Sequence, residues 1–185
     1  MIQKLYSWMN PKLEIRAAPK YGADDDVGVF AKTRLQKGKL LFVMGGHILT
    51  IEDENRLRGV VADKPIEISE DFSIGPRTAA DLTRMPQHRV NHSCNANAGF
   101  DGQLFMVAIR AIRADEEIAY DYAMVMHSNP QSSSYFSFAC RCGTSQCRGI
   151  IAEDDWQRQD LQQRYDGYFQ HFLQKKIDKL RGNGR

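Results

Sequence analysis

Most of the chain before residue 126 consists of short runs in which apolar and polar residues alternate, with glycine or proline between the runs. Alternation with a period of two is typical of strands that bury one face, and a short unbroken apolar run indicates a strand buried on both. We therefore predict strands at residues 13–16, 27–31, 39–44, 66–68, 72–74, 104–109 and 118–122. One short helix is predicted at residues 51–57, with Thr50 as its N-cap and an acidic first turn.

The C-terminal part carries a helical pattern instead. We predict one helix or two, from Asp154 or Asp155 as N-cap to Leu180. The apolar positions of this pattern share one face: Trp156, Leu161, Tyr165, Tyr168, Phe169, Phe172, Leu173, Ile177 and Leu180. Such a stripe usually packs on a core, and we expect that role here rather than a dimer contact. Many short strands and a terminal helix predict a mainly β domain.

Length and charge narrow the class of protein. A chain of 185 residues is long enough for one domain with its own core. The formal net charge of +2 gives no indication of a nucleic-acid partner. No run approaches the roughly 18 apolar residues of a membrane span, and the start of the chain lacks the apolar segment of a secretory signal. We expect a cytoplasmic or other intracellular protein with reduced thiols and no membrane partner.

Residues 91–97, Asn-His-Ser-Cys-Asn-Ala-Asn, concentrate amide, imidazole, hydroxyl and thiol groups in one stretch. No apolar period runs through them, so they are not predicted to form an ordinary core element. Their chemistry makes them the first candidate for a functional site.

Cys94 in this stretch is one of four cysteines, and Cys140, Cys142 and Cys147 form a C-x-C-x4-C cluster downstream. Four thiols with three of them clustered match a tetrahedral zinc site that takes one ligand from a distant segment. The alternatives are two disulfides or four unrelated thiols. Cys140 and Cys142 are poorly placed to bridge each other, and no signal peptide indicates an oxidising compartment. Zinc would tie the cluster to residues 91–97 and place the site at their junction.

Three motifs in this chain resemble, in the same order, those of SET-domain protein lysine methyltransferases with a post-SET zinc motif. They are Asn-His-Ser-Cys-x-x-Asn at 91–97, Glu-Ile-Ala-Tyr-Asp-Tyr at 117–122, and C-x-C-G-x3-C-R-G at 140–149. Residues 26–31 resemble the early Gly-x-Gly segment of that family. The resemblance covers about residues 13–151, and the chain is similar to the small stand-alone SET proteins of bacteria.

The resemblance implies a mainly β SET-domain (β-clip) fold whose C-terminal part threads through a loop in a knot-like way. It also implies an order of segments along the chain. We expect an N-terminal segment at 1–12, the SET domain at 13–126, a post-SET zinc segment at 127–151 and a C-terminal helical extension at 152–185.

The same resemblance implies that the protein moves a methyl group from S-adenosylmethionine to a lysine of a protein substrate. Tyr122 then matches the catalytic tyrosine, and Tyr120 matches the position that tunes how many methyl groups are added, here one or two. The implied cofactor-binding residues are Gly28, Val29, Phe30, Asn91, His92 and Phe138. The implied zinc ligands are Cys94, Cys140, Cys142 and Cys147.

This chemistry suits an aromatic channel. Free lysine has a pKa near ~10.4, so the site must favour the neutral amine, and apolar walls do so by disfavouring the ammonium. Alignment of amine and methyl group can supply ~7–11 kcal/mol without a strong base. A basic protein segment is the natural substrate, because Asp24-Asp25-Asp26 and Glu52-Asp53-Glu54 could attract one. The candidate substrates are histones, a bacterial DNA-packaging protein and a ribosomal protein. The oligomeric state is also open, with a monomer and a homodimer as the alternatives.

Some positions depart from the family pattern. Asp26 replaces the first glycine, Arg89 precedes Val90 where an apolar residue is usual, and Ala96 replaces a proline. Phe72 stands near the place of a further channel tyrosine. Two alternative functions stay open. One is a catalytically inactive SET relic that binds a peptide, which a weakened cofactor site would favour. The other is a structural module held by zinc, without a cofactor.

Overall fold

The computed structural model describes residues 6–18, 26–62, 64–127 and 136–182. The strands in these ranges are β1 Trp8–Met9, β2 Leu13–Ala17, β3 Val27–Ala31, β4 Leu40–Val43, β5 His47–Thr50, β6 Ile66–Glu67, β7 Phe72–Gly75, β8 Asn91–His92, β9 Ala98–Asp101, β10 Phe105–Ala108, β11 Glu117–Tyr120, β12 Ser137–Ala139 and β13 Ile150–Ala152. The helices are α1 Ile51–Asn55, α2 Ala79–Leu82, α3 Gln159–Arg164 and α4 His171–Leu180. Short 3-10 turns lie at Gly59–Val61, Pro86–Arg89, Tyr122–Met124 and Asp155–Gln157.

These strands form three sheets, which confirms the predicted mainly β fold of short sheets. The largest has the order β1-β4-β10-β9-β11-β3-β2, and β8 pairs with β11 beside it. A second sheet has the order β5-β7-β6, and β12 pairs with β13 in a third. Most pairs are antiparallel, but β11 runs parallel to both β8 and β9. All the predicted strands are present, and β11 ends at Tyr120 rather than 122.

The central strands of the main sheet are buried on both faces, since β9, β10 and β11 each have three consecutive buried residues. In β3, Val29 and Ala31 are fully buried, whereas Phe30 between them is only partly buried. Phe100 on β9 and Met106 on β10 are also fully buried in this core. The predicted cap of α1 is confirmed, because the Thr50 hydroxyl accepts a hydrogen bond from the Asp53 amide at 3.1 Å.

The C-terminal extension forms two helices, α3 and α4, separated by Gly167 in the left-handed region at φ 75°. The side chains that it buries in the core are Trp156, Leu161, Tyr165, Phe169, Leu173 and Ile177, as predicted from the stripe. Leu180 departs from the stripe and is 64% exposed. A 3-10 turn at Asp155–Gln157, with Asp154 at its N-cap position, begins where the helix was predicted, but without a side-chain cap hydrogen bond. The first α-helix, α3, begins only at Gln159, and the Asp155 carboxylate accepts from Arg148.

Some predictions fall outside the described residues. These are the acidic residues Asp24 and Asp25, and residues 128–135 of the expected post-SET segment. The knot-like threading and the oligomeric state stay predictions. Among the described helices, none has the length and apolar character needed to cross a membrane.

Candidate active site

Two of the three sequence motifs meet in the main sheet. Strand β8 lies parallel to β11, with Asn91 opposite Ala119 and His92 opposite Tyr120. Beyond β8 the backbone stays attached, because the Ser93 amide donates to the Tyr120 carbonyl at 3.0 Å. The stretch 91–97 is therefore fixed against the strand that carries the tyrosine motif.

Asn97 completes this attachment with its side chain. Its Nδ2 donates to the Glu117 carbonyl at 2.7 Å, and its Oδ1 accepts from the Ala119 amide at 2.9 Å. The Asn97 side chain thus forms hydrogen bonds with the backbone of β11 of the kind that a neighbouring strand would form. Because Asn97 is only 3% exposed, water cannot take over these hydrogen bonds.

The two tyrosines lie side by side at the end of β11. Their ring centroids are 5.0 Å apart, and both rings line a cavity of about 420 Å³. Tyr120 is 7% exposed, and burial, with a smaller effect from Tyr122, raises its pKa well above the ordinary value. The Tyr122 hydroxyl donates to the Val90 carbonyl at 3.4 Å. The Tyr120 hydroxyl therefore stays protonated at neutral pH and can act as a donor.

The same cavity carries ionisable groups that the sequence did not predict there: Glu54, Lys64, Glu67, His88, His127 and Glu153. Burial raises the pKa of Glu54; Glu67 adds to this effect and Ser73 opposes it. Glu54 belongs to the acidic segment proposed to attract a basic substrate, and it lines the cavity that also holds the tyrosines.

Gly28 lies beside Asn91 and Glu117. Asn91 Nδ2 donates to the Val27 carbonyl at 3.0 Å and to Glu117 Oε1 at 2.9 Å. A Cβ on residue 28 would lie 2.6 Å from Glu117 Oε1 and 3.1 Å from Asn91 Nδ2. Glycine is therefore required here by neighbouring side chains. Glu117 is a further polar group at this position that the sequence reasoning missed.

The other residues of the early segment differ in placement. The Val29 side chain is in the core, so only its backbone could contact a ligand. The Phe30 ring lies 4.0 Å from the Arg16 guanidinium.

Two positions that depart from the family pattern lie outside this segment. Arg89 is exposed and turns outward, which removes the cost of burying its charge. Phe72, which stands near the place of a further channel tyrosine, is 43% exposed on β7 and is not among the residues that line the cavity.

His92 connects the tyrosine motif to a cysteine. The Tyr122 amide donates to His92 Nδ1 at 3.2 Å, so a neutral ring carries its proton on Nε2, which lies 3.3 Å from Cys94 Sγ. Burial lowers the pKa of His92 to about 4, and the nearby Asp121 carboxylate only partly offsets this effect. The Phe138 ring centroid lies 6.3 Å from that of His92 and 6.0 Å from that of Tyr122.

The four cysteines converge as predicted. The Sγ atoms of Cys94, Cys140, Cys142 and Cys147 all lie within 4.8 Å of one another, and none of them forms a disulfide. Tetrahedral Zn–S bonds of about 2.3 Å require sulfurs roughly 3.8 Å apart, and Cys94 Sγ and Cys140 Sγ are 3.8 Å apart.

The thiols differ in acidity. Burial raises the pKa of Cys94 to about 11. At Cys142 burial also opposes ionisation, but hydrogen bonds, above all from Thr144, outweigh it and lower the pKa to about 6. One thiolate is thus available at neutral pH, and the donor set fits a tetrahedral zinc ion.

Comparison with known proteins agrees with this arrangement. The SET domain model matches residues 26–123. Over 142 residues the chain is 28% identical to the histone-lysine N-methyltransferase ash1 of Drosophila melanogaster, covering 70% of this chain and 6% of that protein. It is 29% identical over 164 residues to the histone-lysine N-methyltransferase TRX1 of Oryza sativa subsp. japonica, covering 82% and 15%.

A third relative is the histone-lysine N-methyltransferase SUV39H2 of Bos taurus, with 26% identity over 148 residues that cover 65% of this chain and 35% of that protein. The chain thus spans at most about a third of the length of these three relatives. The matched domain, in contrast, takes up more than half of the chain. This chain therefore belongs to the SET-domain family.

Proposed function

We propose that the protein is an S-adenosylmethionine-dependent protein-lysine N-methyltransferase. The observation that carries this proposal is the pair Tyr120 and Tyr122 in the wall of one cavity, one strand away from Asn91 and His92. Paired aromatic hydroxyls at the inner end of a cavity suit an amine that must be neutral and aligned. The family and the three relatives named histone-lysine N-methyltransferases support the same activity.

In this proposal the substrate lysine enters the cavity. Val90, Val125 and Met126 supply apolar wall that disfavours the ammonium, so the amine loses its proton to solvent before reaction. The Tyr122 hydroxyl and neighbouring carbonyls orient the amine. Its lone pair forms the new C–N bond as the S–C bond breaks, and the product amine later releases a proton.

S-adenosylmethionine, when bound, supplies the methyl group on its positively charged sulfur. We propose that Gly28, Phe30, Asn91, His92 and Phe138 hold it, together with the backbone of Val29. Gly28 and Asn91 lie against each other, and His92 and Phe138 approach Tyr122 from the side of the cysteine cluster. The cofactor would therefore bind between the strand motifs and the cysteine segment.

Zinc is the second group that we propose, held by the four cysteines. Its chemistry here would be structural, because four thiolates leave no open position for a substrate. Cys94 belongs to the strand motif and the other ligands follow Phe138, so the ion would hold Phe138 close to His92.

We further propose the segment boundaries given above, at 12, 126 and 151, and mono- or dimethylation as the outcome. The Tyr120 ring is buried and packs edge-on against Phe100, with ring centroids 5.6 Å apart, so its hydroxyl would leave little room for an already methylated amine. A basic protein segment is the proposed substrate, because Glu54, Glu67 and Glu153 line the cavity.

The test is transfer of a labelled methyl group from S-adenosylmethionine into core histones, bacterial nucleoid proteins and ribosomal proteins. We expect label in wild type and almost none with Tyr122→Phe. Tyr168→Phe is the matched control, because it removes a hydroxyl from a ring outside the cavity. Absence of label together with absence of cofactor binding would refute the proposal and favour the peptide-binding relic.

A further inference from the structure

Arg148 lies buried between two carboxylates. Its side chain is 6% exposed, and those of Asp121 and Asp155 are 0% and 8% exposed. Two guanidinium nitrogens bind the two oxygens of Asp121, at 2.5 and 2.8 Å. Nε and Nη2 both reach Asp155 Oδ2, at 3.2 and 2.9 Å. Burial disfavours the charge of Arg148, but the bond to Asp121 and both carboxylates outweigh it and raise its pKa.

A buried ion pair of this kind is weak evidence for a role in stability, because apolar replacements of similar volume are often as stable. Its value lies in geometry, since a guanidinium fork fixes the plane of the carboxylate that it binds. Asp121 is the residue between Tyr120 and Tyr122. Its Oδ1 also accepts from the Ala123 amide at 3.1 Å, which sets the turn that begins at Tyr122.

The same arginine joins three segments. Its backbone amide donates to Cys94 Sγ at 3.3 Å, and it directly follows Cys147 in the cysteine segment. Asp155 belongs to the C-terminal extension, and its Oδ2 also accepts from the Ala152 amide at 3.2 Å. The extension therefore contacts, through one side chain, the turn that orients Tyr122.

A second contact from the extension reaches the stretch 91–97. The Tyr165 hydroxyl donates to the Cys94 carbonyl at 3.1 Å and accepts from the Ala96 amide at 3.3 Å. Arg164 Nη1 donates to the same carbonyl at 3.2 Å. The extension is thus attached to both strand motifs, rather than to the outside of the domain alone.

We propose that Arg148 and Asp155 are positioning residues that hold Asp121, and through it Tyr122, in the geometry for methyl transfer. This makes the C-terminal extension part of the active site, and it rests on the proposed function. The residues themselves touch neither amine nor cofactor. They act on the direction of the Tyr122 ring and hydroxyl.

The test compares Asp155→Asn and Arg148→Lys with wild type. Asparagine keeps the shape of the acceptor but loses its charge, and lysine keeps the charge but cannot bind both carboxylates through a fork. We expect kcat, calculated per S-adenosylhomocysteine-binding site, to fall about 10- to 100-fold. A small misplacement of the Tyr122 hydroxyl is enough for an effect of this size. KM for S-adenosylmethionine and for the substrate protein should stay within about threefold.

Arg158 and Asp160 provide matched controls. They form the same kind of pair in the same extension, 3.1 Å apart, but their side chains are 48% and 53% exposed. Arg158→Lys and Asp160→Asn should leave kcat unchanged, because exposed pairs contribute little.

A readout that does not need turnover separates this inference from the proposed function. With 3-fluorotyrosine at position 122, the fluorine resonance should shift in Asp155→Asn and Arg148→Lys and stay in place in the controls. An unshifted resonance overturns the inference, whether or not wild type transfers methyl groups. So does a loss of total activity that disappears when the rate is divided by the number of S-adenosylhomocysteine-binding sites, since that indicates misfolding. Absence of transfer by wild type defeats the proposed function instead.

Discussion

The strand motifs and the cysteine segment meet at the candidate site, but they are held in different ways. Strand β11 is flanked by β3, β8 and β9, and its Ile118 is fully buried. In the cysteine segment, β12 and β13 pair only with each other among the strands that the structure describes, Ile150 is 64% exposed and Cys147 is exposed.

A two-stranded hairpin of this kind is marginally stable in water. The strand motifs therefore have their geometry from backbone pairing and core packing, whereas the cysteine segment needs the thiol cluster and Arg148 to stay in place. The difference indicates a division of roles. Tyr120 and Tyr122 stand on the strand motifs, and Phe138 stands on the segment that the proposed zinc ion would hold.

Asn97→Ala should have the largest effect, a loss of stability, and it should act on the strand motifs and not on the cysteine segment. It removes hydrogen bonds to the Glu117 carbonyl and the Ala119 amide in a buried place, which predicts a loss of about 2–4 kcal/mol in the free energy of unfolding. Denaturant titration measures it. Asn95→Ala, at an exposed neighbouring position, is the control. Equal stability of the two variants would contradict the attachment described for the strand motifs.

Removing zinc should affect the cysteine segment. With 1,10-phenanthroline we expect methyl transfer to fall about 10- to 100-fold, as for loss of support around a metal site. Amide hydrogen exchange should accelerate in β12 and β13 and stay slow in β11. The non-chelating 1,7-phenanthroline is the control. Zinc affinity should rise with pH, because Cys94, with a pKa of about 11, must lose its proton to bind. Unchanged exchange in β12 and β13 would show that metal does not hold the segment.

Gly28→Ala tests the proposed cofactor contact between the two sides. The new Cβ would crowd Glu117 Oε1 and Asn91 Nδ2, so Asn91 must move. Overpacking of this kind typically costs about 1–3 kcal/mol, and we expect the Kd for S-adenosylhomocysteine to rise about tenfold. Calorimetry measures it. Shortening the neighbour with Glu117→Asp should restore part of the affinity, and a Kd unaffected by Gly28→Ala would place the cofactor elsewhere.

Tyr120→Phe should have the smallest effect on rate. It removes a buried hydroxyl but keeps the ring, so turnover should stay within about threefold. The space gained should shift the products toward dimethyl and trimethyl lysine, which mass spectrometry counts. Predominantly trimethylated product already in wild type would contradict the role given to this hydroxyl.

The sequence predicted the features that depend on local pattern, but not those that depend on tertiary contacts. Alternation predicted β2, and short apolar runs predicted β3, β4 and β10, because both signals depend on local pattern alone. The convergence of Cys94 with the distant cluster was also predictable, since four thiols have few other uses together.

Tertiary contacts were not predictable in this way. A carboxylate ahead of a helix suits an N-cap, and nothing local to Asp155 indicates that Arg148 binds it instead. Glu54 belongs to a helix with the composition of a solvated one, yet it lines the cavity, because the packing of distant strands decides which face is covered. Gly28 was singled out as a place of close approach, but the side chains that lie against it, Asn91 and Glu117, come from other segments.

The most direct test of the central claim is to locate the transferred group on a protein substrate. Wild type and Tyr122→Phe would be incubated with trideuteromethyl S-adenosylmethionine and a basic protein, and peptides mapped by tandem mass spectrometry. The account predicts deuterated methyl groups on lysine side-chain nitrogens with wild type and almost none with Tyr122→Phe. Deuterium on no lysine although the cofactor binds, or equal labelling by both proteins, would contradict it.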